Sequence, residues 1–397
     1  MTTDNRLTND FNPRAPETFT SAHAEYAELR RRCPVAHSDD FSGFWALFRY
    51  DDVVSALRDP DTFITSVQNV VPKVAFTGRR PPLHFDPPEH TPYRRAINPF
   101  FTPDKLERLA PEIRRLTVEL LQPFIDAGGG DICDQFTHSL PGYVLAPFFH
   151  FSTKLSMTIR EVSKAFSRAL QEANDELVKQ CSLRLYDVAR EIIAMRKAAP
   201  MDPRADITCA MLAAEYEGKP LPEDMVLGTI RQMIVVGMIA PCVFIGSMAV
   251  HLAEHPDLQH QLRDDLSLVP AAIEEYLRLF TPYRGFARTA RRDVEIGGRT
   301  IKKDEPIALV YASANRDETV FPDPDEFILH RPNIQQHVAF GLGPHRCAGE
   351  SLARLMLQTT LEELLKRTKS IEPGGEIVMT RWPEWGTLSA HVKVVGA

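Results

Sequence analysis

Nowhere in the 397 residues do two cysteines form a Cys-x-x-Cys pair. The six cysteines, Cys33, Cys133, Cys181, Cys209, Cys242 and Cys347, are scattered along the chain. This spacing excludes a zinc ribbon and a disulfide-stapled scaffold, and reads as a reduced, intracellular protein. Residues 1–16 lack a basic start followed by an apolar run, so neither a signal peptide nor an N-terminal membrane anchor is expected. Repeats and low-complexity tracts are missing as well. A net charge of −7 argues against nucleic acid as a global partner. Gly341-x-Gly343 lacks the third glycine of a Gly-x-Gly-x-x-Gly fingerprint, so no dinucleotide site of its own is expected.

Long hydrophobic runs are scarce too. Residues 233–250 form the exception, uncharged and close to the length that spans a bilayer. Two glycines and Pro241 interrupt them, and aromatic flanks are missing, so a long buried helix is expected and membrane is not a partner. Apolar residues recur with helical period over 22–32, 50–58, 103–127, 155–197, 222–253 and 270–279. Short strands are expected at 44–48, 293–296, 300–301, 307–310 and 388–395, with Gly297-Gly298 as a hairpin turn. The 31 prolines gather at element boundaries. The fold class is therefore mainly α with minor β sheets. No linker divides it, so residues 1–397 read as one domain with 1–20 as an irregular arm.

Against this background one stretch stands out, Phe-Gly-Leu-Gly-Pro-His-Arg-Cys-Ala-Gly at 340–349. A thiolate in a tight glycine loop is a soft, electron-rich ligand for iron in a flat macrocycle, where it favours O–O cleavage. Glycines let the backbone approach such a ring closely. The plainer reading is a buried structural cysteine. Six fixed positions arising by chance have a probability on the order of 10⁻⁸ per start position.

The stretch resembles the heme-ligand loop of the cytochrome P-450 family, Phe-Gly-x-Gly-x-His-x-Cys-x-Gly, at every fixed position. The resemblance runs from about residue 20 to the end. It implies the triangular cytochrome P-450 fold and heme b (iron protoporphyrin IX), with Cys347 as axial iron ligand. Phe340, Gly341, His345 and Gly349 would border the cofactor. His90, Arg94, Arg288 and His337 stand where the family places partners of the heme propionates. Glu275 and Arg278, one helical turn apart, precede Cys347 by the family's spacing, and Arg331 matches the third member of a structural network. Arg346 with Arg94-Arg95 would form a basic patch for an acidic electron donor.

A departure concerns the helix expected to cross the oxygen side. The family carries there a glycine, an acid and an alcohol that relay protons. This chain reads Gly237, Ile239, Ala240 and Pro241, so the acid and the alcohol are both absent. Protons would come from the substrate, from water at a helix opened by Pro241, or would not be needed because the oxidant differs. Substrate contacts are expected from Phe76, Arg79, Met233, Val236, Phe286 and Trp385. Arg79-Arg80 suits an anionic end on an apolar body; solvated arginines are the other reading.

The resemblance implies a soluble, cytoplasmic, bacterial monooxygenase of the three-component type. It would hydroxylate or O-demethylate a small to medium-sized organic substrate with O2. A separate ferredoxin or flavodoxin, with its NAD(P)H-dependent reductase, would supply electrons. The missing relay keeps a peroxide-driven peroxygenase or a non-oxygenating heme-thiolate enzyme open. A non-enzymatic heme-binding sensor finds no second domain to act through.

Overall fold

The computed structural model describes residues 8–15, 19–73 and 76–397. Of the expected arm, residues 1–7 and 16–18 lie outside the described residues. The described part, 8–15, is irregular yet tied down. Asp10 Oδ2 accepts from the His37 amide at 2.8 Å, and the Phe11 ring packs edge-on against Phe44 and Phe48. Helix begins at Phe19, inside the expected arm.

The uncharged run folds as the helix Glu223–Glu254. Among the described residues it alone is long and apolar enough to cross a membrane, but 72% of its apolar window is buried inside the protein. It is a core helix. Leu140–Phe149, Thr153–Gln171, Asp175–Ala198 and the strand Thr387–Gly396 pack around it.

Two expected helices are each a pair. The run 155–197 divides into Thr153–Gln171 and Asp175–Ala198. Ala173 turns left-handed at φ +53°, and the Asn174 side chain caps the second helix by accepting from the Leu177 amide. The run 103–127 divides into Pro103–Glu107 and Ala110–Asp126, where Pro111 opens the second helix. The apolar period carries across both breaks and conceals them.

Five strands form the larger sheet, in the order Val35–Ser38, Phe44–Leu47, Pro306–Leu309, Phe286–Ala290, Phe63–Ile64. Only the pair Phe44–Leu47 with Pro306–Leu309 is parallel. Ala308 sits opposite both Ala46 and Ala287, so small residues let aromatic side chains cover that face. Arg288, one residue from Ala287, faces the other way, opposite Ile307. Gly297 and Gly298, both at positive φ, close the expected hairpin Val294–Ile296 to Arg299–Ile301. Near the C-terminus, Thr368–Met379, Thr387–Gly396 and Gly129–Asp131 make a second sheet.

Glu275 and Arg278 lie on the helix Val269–Leu279 and are fully buried. Arg278 donates to Glu275 through two nitrogens, at 2.7 and 2.9 Å, and Arg331 joins at 3.0 Å. The remaining guanidinium N–H groups of Arg278 bond the carbonyls of Asn315, Pro324 and Glu326, while Arg331 takes those of Pro322, Asp323 and Glu326. One carboxylate thereby anchors two arginines and the irregular segment 315–331. The Asn315 side chain passes the constraint on, accepting from the Val338 amide at 2.7 Å.

Glu275→Gln removes the only charge opposing two buried guanidiniums. Breaking such a pair costs ~3–5 kcal/mol. Urea unfolding of wild type and variant should show a loss of that size; a loss below ~1 kcal/mol would show that the network is not what holds the segment.

Candidate functional site

The cysteine loop is built by its own backbone. The Gly341 amide bonds the Val338 carbonyl at 2.9 Å, and the Cys347 amide bonds the Phe340 carbonyl at 2.8 Å. Gly341 and Gly343 both have left-handed φ, +66° and +69°. A Cβ on Gly343 would stand 2.4 Å from the Leu57 carbonyl oxygen, so only glycine fits. Gly349 caps the helix Glu350–Arg367.

Cys347 exposes surface, although protein groups crowd its sulfur. Their desolvation pushes the thiol up, while the Gly349 amide and the Arg94 guanidinium pull toward the thiolate. Tyr283 lies within electrostatic range of both Cys347 and Cys242 of the long helix, so the loop and that helix border one region.

Beside the loop gather groups that need an anion. His90 and Arg94 stand on the helix His90–Ile97. The His90 ring meets that of His345 edge to face at 4.6 Å, and its buried Nε2 has no partner. Desolvation first, and Arg94 second, hold His90 down to about 4; desolvation and Arg288 hold His345 down to about 2. Both rings are neutral at pH 7. Arg94 donates to the Arg346 carbonyl at 2.7 Å. Arg288 is buried, bonds the Ala287 carbonyl at 2.9 Å and the Tyr311 hydroxyl, and forms no ion pair among the described residues, although Asp86 lies within electrostatic range. A buried guanidinium without an anion is costly. Thus a cofactor carrying carboxylates fits this set. No group of three His, Cys, Asp or Glu side chains among the described residues could hold a bare metal ion. A metal at Cys347 must therefore bring its own remaining ligands, as a macrocycle does.

His337 departs from its expected place. Its Nε2 is 3.0 Å from Glu274, and its Nδ1 accepts from the Ala339 amide, so both nitrogens are already bonded within the protein. Arg354 joins Glu274 at 2.6 Å and lies 4.7 Å over the Phe340 ring. The sequence neighbourhood of His337 is that of the loop, but its orientation is set by a carboxylate on another helix. Arg346 is paired with Glu350 at 2.8 Å, which halves its value as a basic patch; Arg95 remains exposed.

On the long helix, Met233, Gly237, Ala240 and Pro241 are half-buried and Val236 is 44% exposed, whereas the other faces are buried. The stripe at i, i+3, i+4, i+7 and i+8 is one helix face. Ile239 lies off that stripe and is buried. Ser247 Oγ donates to the Val243 carbonyl at 2.7 Å and accepts from Thr387, and Cys242 Sγ is held by the Met238 and Thr137 carbonyls. Neither is available as a proton donor.

Of the expected substrate residues, Phe76 is 69% exposed and Arg79 is exposed. Phe286 is half-buried, its ring tilted against that of Tyr283 at 4.3 Å. Trp385 does not fit: it is fully buried, 5.0 Å from the His23 ring and 4.9 Å from the Arg284 guanidinium. Its position next to Gly386 in sequence gave no sign of this. Sequence reading also passed over His84, Tyr186 and Arg231, which carry no motif and acquire meaning only from burial.

A helical chain with four small sheets among the described residues, one thiol on a glycine-built loop, and anion-seeking groups beside it defines a heme-thiolate oxidoreductase. The family model for cytochrome P450 matches residues 143–381. The chain is 31% identical over 354 residues to Cytochrome P450 109 of Bacillus spizizenii, covering 87% of this chain and 84% of that protein. It is 30% identical to Linalool 8-monooxygenase of Pseudomonas putida, covering 90% and 92% of the two chains. The structure of cytochrome P450 CYP109Q5 from Chondromyces apiculatus superposes with a TM-score of 0.88 at 29% identity, covering 98% and 99%. The chain belongs to the cytochrome P450 family, has its fold, is an oxidoreductase and uses heme as cofactor.

Glu274 offers a pH test. Desolvation pushes its carboxyl up, but hydrogen bonds from His337 and Arg354 outweigh this and hold it at about 2, against an ordinary 4.5. The folded state therefore binds fewer protons than the unfolded chain. Its stabilisation is complete above about pH 4.5 and is lost as the pH falls toward 2. Glu274→Gln should remove ~3 kcal/mol of the stability difference between pH 5 and pH 2, read by urea unfolding. An unchanged pH dependence would contradict it.

Proposed function

We propose that the protein is a cytoplasmic, three-component bacterial monooxygenase, acting as one domain, that hydroxylates or O-demethylates a small to medium-sized organic substrate. O2 is the oxidant, and a separate ferredoxin or flavodoxin with its NAD(P)H-dependent reductase supplies electrons. The observation that carries this reading is the accessible Cys347 thiol on its hydrogen-bonded glycine loop. Bound heme supplies O2 activation and insertion of one oxygen atom into a C–H bond of the substrate.

Cys347 binds iron as thiolate, assisted by the Gly349 amide and Arg94. Arg288, Arg94, His90 and His345 would hold the propionates; the buried, unpartnered His90 Nε2 and the lack of an ion pair at Arg288 among the described residues support this. Phe340, covered by Arg354, would pack beside the sulfur. Gly341 and Gly349 admit the flat ring. Arg94-Arg95 offers the acidic donor a basic edge.

Met233, Val236, Gly237, Ala240 and Pro241 face the substrate and oxygen. Ile239 and Ala240 supply no proton, and Ser247 and Cys242 are committed to carbonyls. Pro241 has no N–H for the Gly237 carbonyl, which leaves that oxygen to a water. Protons then travel by water or by a polar group of the substrate itself.

Cys347→Ser should abolish the thiolate-specific absorption of the reduced, carbon monoxide-bound protein; an unchanged band would refute axial ligation. In turnover assays, product should form with O2, NADH, ferredoxin and reductase. Product formed only with hydrogen peroxide would replace this reading by a peroxygenase, which the missing acid and alcohol make the specific rival.

A further inference from the structure

A second group of buried cations lies apart from the cysteine loop. Arg231, in the third turn of the long helix, is fully buried. It donates to Ser182 Oγ at 2.9 Å and to Gln232 Oε1 at 3.2 Å, and its guanidinium lies 5.6 Å from the Phe166 ring and 5.8 Å from the Tyr186 ring. Its Nε has no partner. Buried and equally unpartnered are Arg80 Nε, His84 Nε2 and the Tyr186 hydroxyl. Four polar groups from three segments are thus left unsatisfied in one place, where such groups are normally paired.

The backbone brings these segments together deliberately. A Cβ on Gly228 would stand 2.0 Å from the Arg79 carbonyl oxygen, and one on Gly78 would stand 2.6 Å from the Tyr186 hydroxyl. Glycine at both positions lets the segment 78–84 lie directly on the helix and on Tyr186. Thr77 Oγ1, 2.7 Å from Ser182 Oγ, fastens its start.

No carboxylate balances the group. Among the described residues, Arg79, Arg80 and Arg231 form no ion pair. The largest charge effects on His84 come from Arg80, Arg231 and Arg79, all positive, whereas His345 has Arg288, His90 and Arg94 around it and the Asp86 carboxylate at 3.9 Å. The two groups are electrostatically distinct. Desolvation, then Arg80, push Arg231 down to about 9, and desolvation with the three arginines holds His84 at about 3. Arg231 still carries its charge at pH 7, in a place where an uncompensated charge is expensive.

Arg80 and His84 line a cavity of about 320 Å³ whose other walls include Thr65, Val67, Val70 and Phe76. Val67 and Phe76 present apolar surface there. Thr65 Oγ1 is 3.3 Å from His345 Nε2, two residues before Cys347. The cavity thus borders the cationic group through Arg80 and His84 and reaches His345 of the cysteine loop through Thr65, with Val67, Val70 and Phe76 as apolar lining. Arg231 and Tyr186 stand behind Arg80 and His84.

We propose that Arg80 and His84, backed by Arg231 and Tyr186, form a recognition site for the carboxylate of an apolar substrate, which this cavity holds with its opposite end toward the cysteine loop. This deepens the monooxygenase reading and rests on it only for the orientation. The anion supplies the missing counter-charge, and its two oxygens take up N–H and O–H groups that otherwise have no partner. Arg231 fixes the polarity of the site from a buried position and acts as a positioning residue.

Calorimetry and spin-state titration of the heme-loaded protein with 6-phenylhexanoate, its methyl ester and 6-phenylhexyl phosphate test this. Wild type should bind the carboxylate at least about tenfold tighter than the ester. Arg80→Gln should erase that preference while leaving ester affinity unchanged. Arg231→Met, which removes a buried charge, should do the same and raise Tm without ligand. Arg190→Gln, an exposed arginine of the same region paired with Asp187, should alter nothing. Equal affinity for carboxylate and ester in wild type, or a preference that survives Arg80→Gln, would overturn the proposal. Tighter binding of the phosphate would overturn the carboxylate assignment. Absence of the thiolate-specific band in ligand-free wild type would instead sink the monooxygenase reading, while the calorimetric preference would still decide this one.

Discussion

The carboxylate of Glu275 never meets water, yet two guanidiniums and a backbone amide converge on it. Arg278 and Arg331 bring charge, and the Ile328 amide adds a bond at 3.0 Å. Two guanidiniums share one carboxylate, so the surplus positive charge rests on the carbonyls that both arginines bond, and the arrangement admits little slack. The spare N–H groups of both arginines fasten carbonyls between Asn315 and Glu326. Asn315 then grips the Val338 amide, Val338 accepts from Gly341, and Phe340 accepts from Cys347. The position of one sulfur atom is the end of a chain of hydrogen bonds that starts at a buried carboxylate.

The same molecule elsewhere leaves cations uncompensated. Arg288 near the loop, and Arg80 with Arg231 near the start of the long helix, form no ion pair among the described residues. Glu275 and these arginines obey one rule with opposite outcomes. A buried charge paired inside the protein holds a fold together; one left unpaired weakens the fold and attracts whatever supplies the opposite charge. Two carboxylates belong to the heme of the family, which accounts for the group around His345. The group around His84 lies apart from it and calls for an anion of its own.

Much of this was legible in the chain. Loop 340–349 could be read because ligand chemistry and left-handed backbone dictate residue type at fixed offsets, and Glu275, Arg278 and Arg331 could be read because a charge network needs fixed partners. The long helix could be read from an uncharged run. The divided helices could not: the break at Ala173 is a capping and φ event inside an unbroken apolar period. His337 was drawn to the wrong partner because the sequence shows its neighbours and not Glu274, which arrives from another helix. Trp385 was read as a substrate contact but is buried between His23 and Arg284. Arg231 looks like an ordinary flanking charge until its burial is known.

The central claim is that Cys347, held by this hydrogen-bond chain, ligates heme iron. Resonance Raman spectroscopy of the ferric, heme-loaded protein, grown with cysteine of natural or heavy-isotope sulfur, tests it most directly. The account predicts an iron–sulfur stretching band that moves to lower frequency with the heavier isotope. A spectrum in which no band responds to the label would contradict it.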